Sequence, residues 1–559
     1  MPAPPLVHPK VPKFSEIAKA SGLDFQHYLG ATGKFYFPEI MGAGCALLDY
    51  DGDGDLDVYM VQGALLEPGA DPSKEIFNPG MKQPVRNRLF RNDLIGPGGV
   101  RGPLHFTDVT EASGAGDTGY GMGVAVGDYD NDGDPDIYVT NFGPDVLLRN
   151  NGDGTFTDVT KAAGLGDPRW DASAAFLDYD GDGWLDLIVT AYADFTLATN
   201  KPCYTAAGAR DYCGPTAYLS LPCRLYRNLH DGRFEDTTAA AGLDLAYGHG
   251  LGVATGDFDG DGRTDLYIAN DSDADQLWLN RGGRFENVAL LHGAAYNGMG
   301  IPEAGMGIAV DDFDDDGDED IFLTHLIQEE NRLLVNNGKA YFTDETEQWG
   351  LAWPSVKYTG FGVGWVDLDN DGDLELYVVN GNVRMEEVHH RLDYPFDQEN
   401  LLMINTGSRY VGIPADAGPI TSLSEVSRGA AFGDVDNDGD IDVLVSNNNG
   451  PARLFRNDLE NEQHWLLLKV LREDPERVAI GAHVRLTLSD GRVMTRRVRT
   501  DGSYLSASDD RVHLAWLSGL SATRLEVALP GGAFQEVPLA ATERVLTLRV
   551  WSDRVEIGD

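Results

Sequence analysis

An acidic pattern of nine residues recurs seven times along the chain. It reads D-x-D-x-D-G-x-x-D, with Glu closing one copy, and a strand-forming run follows it, as Val58-Tyr59-Met60 follows Asp49–Asp57. The copies return at intervals of about 50 to 80 residues, which is typical of propeller blades built from four short strands and variable inserts. The pattern therefore predicts an all-β protein of seven repeated units. The copies begin at Asp49, Asp128, Asp178, Asp257, Asp312, Asp367 and Asp434.

Each unit contains three further strand-forming segments. A Gly-rich apolar segment precedes the acidic loop, a segment ending in Arg-Asn such as Leu147–Asn150 follows it, and a phrase such as Phe156–Thr160 ends the unit. The seventh unit lacks this last phrase, but Phe14–Leu23 near the start of the chain resembles it. We therefore predict a seven-bladed β-propeller over residues 1–458, in which the N-terminal strand completes blade seven and leaves no unpaired edge. The longer units imply inserts at roughly 63–86, 191–222 and 381–399.

The acidic loops stop at about Asn461, and a different pattern begins. Alternating apolar segments such as His464–Val470 and Ala482–Leu488 predict a separate β domain over residues 459–559, either a sandwich or a small barrel. This part of the chain is rich in arginine, including Arg496, Arg497 and Arg499. We expect it to dock electrostatically on the acidic propeller.

The residue types in the acidic loops predict calcium binding. Calcium takes about six to eight oxygen ligands at a flexible radius, and alternate positions of a tight loop direct several carboxylates inward. Positions 1, 3, 5 and 9 supply side-chain oxygens, position 7 offers its backbone carbonyl, and glycine at position 6 permits the sharp reversal. Magnesium fits less well because it resists losing its waters to an all-protein cage. Asp and Gly are also ordinary turn formers, but seven full matches in one chain favour about seven Ca²⁺ ions, one per blade.

The predicted ligands follow loop by loop, with the position-7 residue acting through its carbonyl. They are Asp49, Asp51, Asp53, Asp55 and Asp57 in loop 1; Asp128, Asp130, Asp132, Asp134 and Asp136 in loop 2; Asp178, Asp180, Asp182, Trp184 and Asp186 in loop 3; Asp257, Asp259, Asp261, Arg263 and Asp265 in loop 4; Asp312, Asp314, Asp316, Asp318 and Asp320 in loop 5; Asp367, Asp369, Asp371, Asp373 and Glu375 in loop 6; and Asp434, Asp436, Asp438, Asp440 and Asp442 in loop 7.

The overall charge restricts the partners and the compartment. A formal charge of −47 on 559 residues argues against nucleic acid and anionic membrane surfaces as partners. No apolar run approaches the roughly 20 residues needed to span a bilayer, and the first residues contain no apolar signal segment. Either the protein is cytoplasmic, or the sequence begins after a removed signal. We favour a secreted or periplasmic protein, because many extracellular calcium modules are tuned to the millimolar calcium found outside the cytoplasm.

Three of the four cysteines lie in one loop-rich insert. Cys203–Cys213 is the preferred disulfide, and four reduced thiols are an equally acceptable interpretation of the composition. A zinc site is disfavoured because the insert has neither a C-x-x-C pair nor a histidine.

A possible catalytic site is predicted at the mouth of the propeller channel. The residues at the starts of the innermost strands include Glu39, Asp171, His249, Glu303 and Arg428, which would supply an acid/base set and a cation for an anionic group. The alternative is that they fill the channel, solvated or mutually paired, without chemistry.

The acidic repeats resemble FG-GAP (VCBS-type) repeats, the calcium-binding blades of integrin α-subunit propellers. The whole chain resembles the cartilage acidic protein 1 family, through Gly33–Glu39, Ser427-Arg428-Gly429 before loop 7, and His464-Trp465-Leu466 with Ile480-Gly481-Ala482 in a C-terminal module similar to ASPIC/UnbV domains. The turn Ala528–Gly532 departs from the Trp-Pro-Ser-Gly-like turn usual in the family. The resemblance implies calcium binding and export, and it implies no known reaction, although bacterial relatives are encoded with enediyne biosynthesis.

Three functions follow as hypotheses. The first is a secreted calcium-binding scaffold for recognition of a protein or glycan partner. The second is an enzyme, a lyase or a natural-product (enediyne-type) biosynthetic protein acting on a small molecule in the propeller funnel. The third is a calcium-dependent lectin. The oligomeric state is left open.

Overall fold

Seven four-stranded antiparallel sheets make up most of the structure, a computed structural model that describes residues 11–77, 80–96, 98–384, 396–413, 417–459, 463–473, 475–538 and 544–558. In each sheet the strand before the acidic loop lies at one edge and the Phe-x-Asp-type strand lies at the other. Part of the predicted insert at 381–399 and both ends of the chain lie outside the described residues.

Each blade consists of four strands, ordered from the inner edge of the sheet to its outer edge. They are Cys45–Leu48, Asp57–Met60, Arg88–Asn92 and Phe106–Asp108 in blade 1; Gly121–Gly127, Asp136–Asn141, Val146–Asn150 and Phe156–Asp158 in blade 2; Trp170–Leu177, Asp186–Ala193, Arg224–Asn228 and Phe234–Asp236 in blade 3; Gly250–Gly256, Asp265–Asn270, Gln276–Asn280 and Phe285–Asn287 in blade 4; Ile308–Asp311, Asp320–Leu323, Arg332–Val335 and Thr343–Asp344 in blade 5; Gly360–Val366, Glu375–Asn380, Leu401–Asn405 and Tyr410–Gly412 in blade 6; and Ser427–Gly433, Asp442–Asn447, Arg453–Asn457 and Phe14–Glu16 in blade 7.

The inner strands close into a ring. Each packs against the inner strand of the next blade, and that of blade 7 packs against that of blade 1. The N-terminal strand pairs antiparallel with the third strand of blade 7, with Phe14 opposite Asn457. Glycine allows the close approach of neighbouring blades, since a Cβ on Gly307 would lie 2.0 Å from the carbonyl oxygen of Phe361. The predicted seven-bladed propeller, closed by its N-terminal strand, is confirmed.

Short helices and ribbons lie in the segments between strands, both within blades and between them. The insert of blade 3 contains the predicted Cys203–Cys213 disulfide, while Cys45 and Cys223 are free and buried. The α-helices are Thr110–Ser113, Thr160–Ala163, Thr238–Ala241, Ala352–Ser355 and Pro419–Ser422, the 3-10 helices are Phe37–Ile40, Pro72–Lys74, Leu197–Thr199, Pro215–Ala217 and Leu243–Leu245, and the ribbons pair Ile95–Gly96 with Val100–Arg101, Cys203–Tyr204 with Arg210–Asp211, and Gln398–Glu399 with Ser424–Glu425.

The C-terminal domain consists of two sheets that share one core, so it is a sandwich rather than a barrel. Leu468 and Leu548 of the first sheet and Val484 and Leu525 of the second are buried in the same apolar cluster. The last propeller strand ends at Asn457 and the next strand begins at His464, and the boundary at 458/459 stays a prediction. The first sheet contains Arg477–Val478, His464–Arg472, Val545–Val550 and Val555–Gly558, with Val512–Trp516 also pairing to His464–Arg472, and the second contains Val493–Arg497, His483–Leu488, Ala522–Ala528 and Gln535–Val537.

The sandwich lies on the propeller face that carries the acidic loops. Side chains of the domain donate to backbone carbonyls at the sixth loop position: Arg477 to Gly183 at 2.6 Å, Arg492 to Gly372 at 2.7 Å and His513 to Gly439 at 3.0 Å. Each of these contacts joins the domain to a different blade, so the domain spans the ring.

The predicted arginines take part in this interface. Arg496 donates to the carbonyl of Asp312 at 3.1 Å, and Arg499 donates to that of Thr255 at 2.8 Å. Arg497 lies 3.9 Å from the carboxylate of Glu319. The predicted electrostatic docking on the propeller is therefore confirmed.

A segment of the sandwich, residues 500–509, enters the propeller axis; we call it the plug. Ser503 exchanges backbone hydrogen bonds with Ile308 in blade 5, and the amide of Ala507 donates to the carbonyl of Cys45 in blade 1. Tyr504 is fully buried and donates to the carbonyl of Met41 at 3.0 Å. The axis is therefore filled by side chains and backbone from the C-terminal domain.

Candidate metal centres and the channel mouth

The backbone of each acidic loop folds around its first and fifth side chains. In loop 2 the carboxylate of Asp128 accepts from the amides of Asp132 and Gly133, at 3.1 and 3.0 Å. Loops 4, 6 and 7 repeat this pair of bonds at Asp257, Asp367 and Asp434. In all seven loops one oxygen of the position-5 carboxylate accepts from the amide of position 7. The loops therefore share one conformation, because the same side chains fix the same turn.

The position-9 carboxylates anchor the loops to the blades. Asp136 accepts from the amide of Tyr129 in its own loop at 3.1 Å and from the amide of Asn150 on the third strand at 2.8 Å. The equivalent residues in the other loops, including Glu375 in loop 6, are also buried. Burial, with a smaller contribution from neighbouring carboxylates, raises the pKa of Asp186 and of Asp265 to about 8.

The carboxylates converge in the way a cation requires. In loops 1 to 5, three side chains place carboxylate oxygens within 4.8 Å of one another. The groups are Asp49, Asp51 and Asp53; Asp128, Asp130 and Asp136; Asp178, Asp180 and Asp186; Asp257, Asp259 and Asp265; and Asp312, Asp314 and Asp316.

One atom at position 3 is left without a partner in several blades. The Oδ1 atoms of Asp130, Asp259, Asp369 and Asp436 are buried and accept no hydrogen bond from the protein. A buried carboxylate oxygen without a partner is costly, and the recurrence of the same atom in four loops indicates a common ligand rather than a local defect. The hard, anionic donor set fits Ca²⁺.

Position 7 shows why a backbone carbonyl is the predicted ligand there. Five loops have Asp at this position, but loop 3 has Trp184, which stacks on His230 at 4.8 Å, and loop 4 has Arg263, which donates to the carbonyl of Asn280 at 2.8 Å. Only the backbone oxygen is common to all seven loops. The remaining position-7 residues are Asp55, Asp134, Asp318, Asp373 and Asp440.

Cations of the protein also touch some predicted ligands. Arg227 pairs with Asp180 in loop 3 at 2.9 Å, and Arg281 pairs with Asp259 in loop 4 at 2.7 Å. Lys469 of the sandwich lies 3.3 Å from Asp49 in loop 1. The loops are alike in backbone and ligands but differ in the charges around them.

In six of the seven blades a buried asparagine joins the loop to that of the preceding blade. Asn150 donates through Nδ2 to the carbonyl of Tyr50 in loop 1, at 2.8 Å, and to that of Pro135 in its own loop, at 3.3 Å. Asn92 makes the corresponding bond from blade 1 back to Val435 in loop 7, at 2.9 Å. We call these residues the relay asparagines: Asn92, Asn150, Asn228, Asn280, Asn336 and Asn457. Sequence reasoning found the repeated Arg-Asn phrase but assigned no role to its asparagine. The signal that pointed to a role was the fixed position of the phrase after the acidic loop.

At the opposite end of the inner strands, Glu39 and Arg428 hold the N-terminal segment in place. Glu39 accepts from the hydroxyl of Tyr212 at 2.8 Å, and burial raises its pKa to about 7. The guanidinium of Arg428 donates twice to the carbonyl of Ile40, at 2.9 and 2.8 Å, and lies 4.0 Å from the ring centre of Phe361. Arg428 is fully buried, and these contacts give its charge a structural role.

The other predicted mouth residues each contact a different charged side chain. His249 contacts Asp273 through Nδ1 at 2.7 Å. Its Nε2 is buried and neither donates nor accepts a hydrogen bond. Asp171 lies 3.5 Å from Arg169. Glu303 lies 3.6 Å from Arg332 in blade 5.

Apolar side chains also form a buried cluster in this region. Phe37 packs against Trp170 and Tyr192, each with ring centres 5.3 Å apart, and Met306 is buried in the same apolar cluster. Each of the five predicted residues therefore has partners of its own, and a shared catalytic site at the mouth stays a prediction.

Comparisons with known proteins match both parts of the chain. The FG-GAP-like repeat model matches residues 128–189, 220–268, 257–323 and 312–378, and the ASPIC and UnbV model matches residues 472–553. Cartilage acidic protein 1 of Xenopus tropicalis is 29% identical over 170 residues, and that of Homo sapiens is 29% identical over 169 residues. The chain therefore contains FG-GAP-like repeats and an ASPIC/UnbV module, and it is similar to cartilage acidic protein 1 over part of its length.

These matches cover part of each protein. The two alignments span 29% of this chain, and 25% and 24% of the respective relatives, so the chain matches about a quarter of their length. Among solved structures, an Agrocybe aegerita lectin that recognises non-reducing terminal N-acetylglucosamine has a TM-score of 0.34 at 17% identity, over 60% of this chain and 81% of the lectin. At that TM-score the likeness does not bear on function. Among the described residues, no helix has the length and apolar character needed to cross a membrane.

Proposed function

We propose that this protein is an exported, calcium-binding β-propeller scaffold with one Ca²⁺ in each blade. The observation that carries the proposal is the buried, unpartnered Oδ1 atom at position 3, repeated in loops 2, 4, 6 and 7. A bound cation would satisfy this atom and offset the repulsion among the carboxylates beside it. Calcium is favoured over magnesium because the donors are many, anionic and supplied almost entirely by protein.

Calcium uptake tests the proposal directly. Equilibrium dialysis should give about seven Ca²⁺ per chain, one for each repeated loop. Thermal melting should shift upward in calcium relative to EGTA, because an ion that binds only the folded state stabilises it. An unchanged midpoint, together with no uptake, would refute the proposal.

A single-loop variant supplies the matched comparison. Asp130→Asn removes one charge at position 3 of loop 2, so we expect the loss of about one ion per chain. Asp244→Asn removes the same charge from an exposed site outside the loops and should leave the stoichiometry unchanged. If both variants bind as many ions as the wild type, position 3 is not a ligand.

The proposed role of the scaffold is recognition of a protein or glycan partner. Support comes from exposed aromatic side chains in segments that lead into inner strands, on the face opposite the acidic loops. Tyr247 is 61% exposed and Trp353 is 86% exposed. Exposed aromatic rings of this kind are enriched at binding hot spots and stack on partner surfaces.

A glycan array and a pull-down against extracellular proteins, each in calcium and in EGTA, would separate the two partner classes. Glycan binding lost in EGTA and in Trp353→Ala would favour a calcium-dependent lectin. Protein binding with the same losses would favour a protein-recognition scaffold. Binding that is unchanged in Trp353→Ala and Tyr247→Ala would remove this face from the proposal.

A second candidate function, catalysis at the channel mouth, rests on His249. Its Nδ1 is held by Asp273 and its Nε2 is free, which is the arrangement of an oriented acid/base. The test is turnover of candidate small molecules by wild type and His249→Gln. Equal turnover by both proteins would remove His249 from any reaction.

A further inference from the structure

The acidic loops support the C-terminal domain as well as the predicted ions. Arg477, Arg492 and His513 donate to the position-6 carbonyls of loops 3, 6 and 7. Arg511 donates to the carbonyl of position 1 in loop 7 at 2.9 Å, and Arg496 does so in loop 5. The domain therefore contacts the loop backbone at several blades simultaneously.

These carbonyls are not among the predicted metal ligands, but they depend on the same turn. Position 6 is a glycine with φ between +89° and +97° in loops 3, 6 and 7, so its carbonyl direction is set by the sharp reversal of the loop. The reversal surrounds several carboxylates that repel one another, and a bound dication removes that repulsion. Without the ion, repulsion among these carboxylates would strain the turn that directs those carbonyls.

The plug links the docked domain to the ring. Ser503 pairs with Ile308 in blade 5, the carbonyl of Leu505 accepts from Val124 in blade 2, and Ala507 pairs with the inner strand of blade 1. The plug follows the strand Val493–Arg497 and precedes Val512–Trp516, both of which belong to the sandwich. Displacement of the sandwich from the loops would therefore pull on the plug.

We propose that calcium in the acidic loops locks the C-terminal domain onto the propeller, and that loss of calcium releases the domain and frees the plug from the channel. The inference rests on the proposed calcium binding. It assigns the ring of metal loops a second role as the docking surface for the chain's own C-terminal domain.

An opposing electrostatic effect makes the sign of the coupling testable. The domain's cations are attracted to the acidic face, and calcium would weaken that attraction by neutralising the face. The domain does contact acidic side chains, as Arg492 contacts Asp373 at 2.7 Å, but it also binds five loop carbonyls, whose positions depend on the folded loop. Geometry therefore predicts tighter docking with calcium, whereas charge alone predicts looser docking.

Hydrogen exchange of the full chain, in calcium and in EGTA, tests the release. The amides of Ser503 and Ala507 donate to propeller carbonyls and report on the plug. We expect their exchange to accelerate about tenfold to a hundredfold in EGTA, within the usual range of coupling between two sites. The strand Ala522–Ala528 inside the sandwich is the internal control and should exchange at the same rate in both conditions.

Thermodynamic reciprocity gives a second, independent test. If calcium favours docking, weaker docking must lower calcium affinity. Arg477→Gln and Arg492→Gln each remove a docking contact without changing a predicted ligand, and we expect calcium affinity to fall about fivefold or more. Charge alone predicts the opposite, because removing a cation from an acidic face should raise affinity. Arg524→Gln, which pairs with Glu526 and Glu536 within the sandwich, is the charge-matched control.

The outcomes separate the inference from the proposed function. No calcium uptake by the wild type overturns the proposed function. Normal uptake, with plug exchange unchanged in EGTA or with raised calcium affinity in the two docking variants, overturns the inference alone. If the sandwich strand also exchanges faster in EGTA, the chain unfolds as a whole. The calcium affinity of the two docking variants then decides whether the inference holds.

Discussion

Replacing a relay asparagine tests how neighbouring blades are joined. The side chain of Asn150 is fully buried; its Nδ2 donates to the carbonyls of Tyr50 and Pro135, and its Oδ1 accepts from the amide of Gly152 at 3.1 Å. Asn150→Ala leaves the two carbonyls without these donors. Each unsatisfied buried group costs about 1–3 kcal/mol, so we expect the free energy of unfolding to fall by about 3–5 kcal/mol. This is a large share of the roughly 5–15 kcal/mol that stabilises a typical domain.

The measurement is urea unfolding at saturating calcium. The midpoints of the variant and the wild type are compared, provided that the dependence of the unfolding free energy on urea is the same for both. Asn151→Ala is the matched control, because Asn151 is exposed and its side chain makes solvent-exposed hydrogen bonds, with Thr155, Thr157 and Arg149. Its expected cost is below about 1 kcal/mol. Equal midpoints for the two variants would refute the interpretation that the relay asparagines join the blades.

Three further changes test the mouth, the closure and the insert. Burial raises the pKa of Glu39 from 4.5 to about 7, so the folded protein loses stability as the pH rises from 4.5 to 7 and regains it as the pH falls. Glu39→Gln should flatten this part of the plot of melting temperature against pH. Parallel profiles for the wild type and the variant would contradict this prediction. Phe14→Ala removes a buried ring from the closing strand and should lower the free energy of unfolding in urea by about 3–5 kcal/mol. Val11→Ala, at a site that is 36% exposed, should leave it nearly unchanged. Similar losses in the two variants would count against the role of Phe14. Cys213→Ser removes a disulfide between residues ten apart, so the free energy of unfolding should fall by up to about 3 kcal/mol. Proteases should also cleave the insert faster. An unchanged cleavage rate would contradict this prediction.

The blades were predictable because their signals are local. The acidic loop, the strand after it and the final Phe-containing phrase lie within one repeat, and the phrase at Phe14 is explained only by pairing with the last unit. The arginines of the C-terminal domain were also a sufficient signal for docking, because a cluster of cations on a chain this acidic has an obvious counterpart.

The plug and the relay asparagines could not be predicted in the same way. Thr500-Asp501-Gly502-Ser503 has the composition of an ordinary polar turn, and its place in the channel depends on how the sandwich sits on the ring. The relay asparagine was visible as a repeated letter, but its acceptor in the preceding blade is a backbone oxygen, which leaves no trace in the sequence. The partners of the mouth residues were also hidden from the sequence, since Arg428 binds the carbonyl of Ile40, a contact set by the fold of the N-terminal segment.

Closure by the N-terminal strand has a consequence for synthesis. The two sides of the closing contact are far apart in the chain, since Ser15 and Asp458, which are hydrogen-bonded, are separated by 443 residues. A chain emerging from the ribosome must therefore hold its first strand unpaired until nearly the whole ring has been made, and such long-range pairing is slow. A chain truncated before Arg453–Asn457 would leave Phe14–Glu16 without its partner, and one truncated after it would still lack the plug. The ring can therefore close only after the last blade has been translated. Chains that end earlier expose an unpaired strand or sheet edge and tend to aggregate.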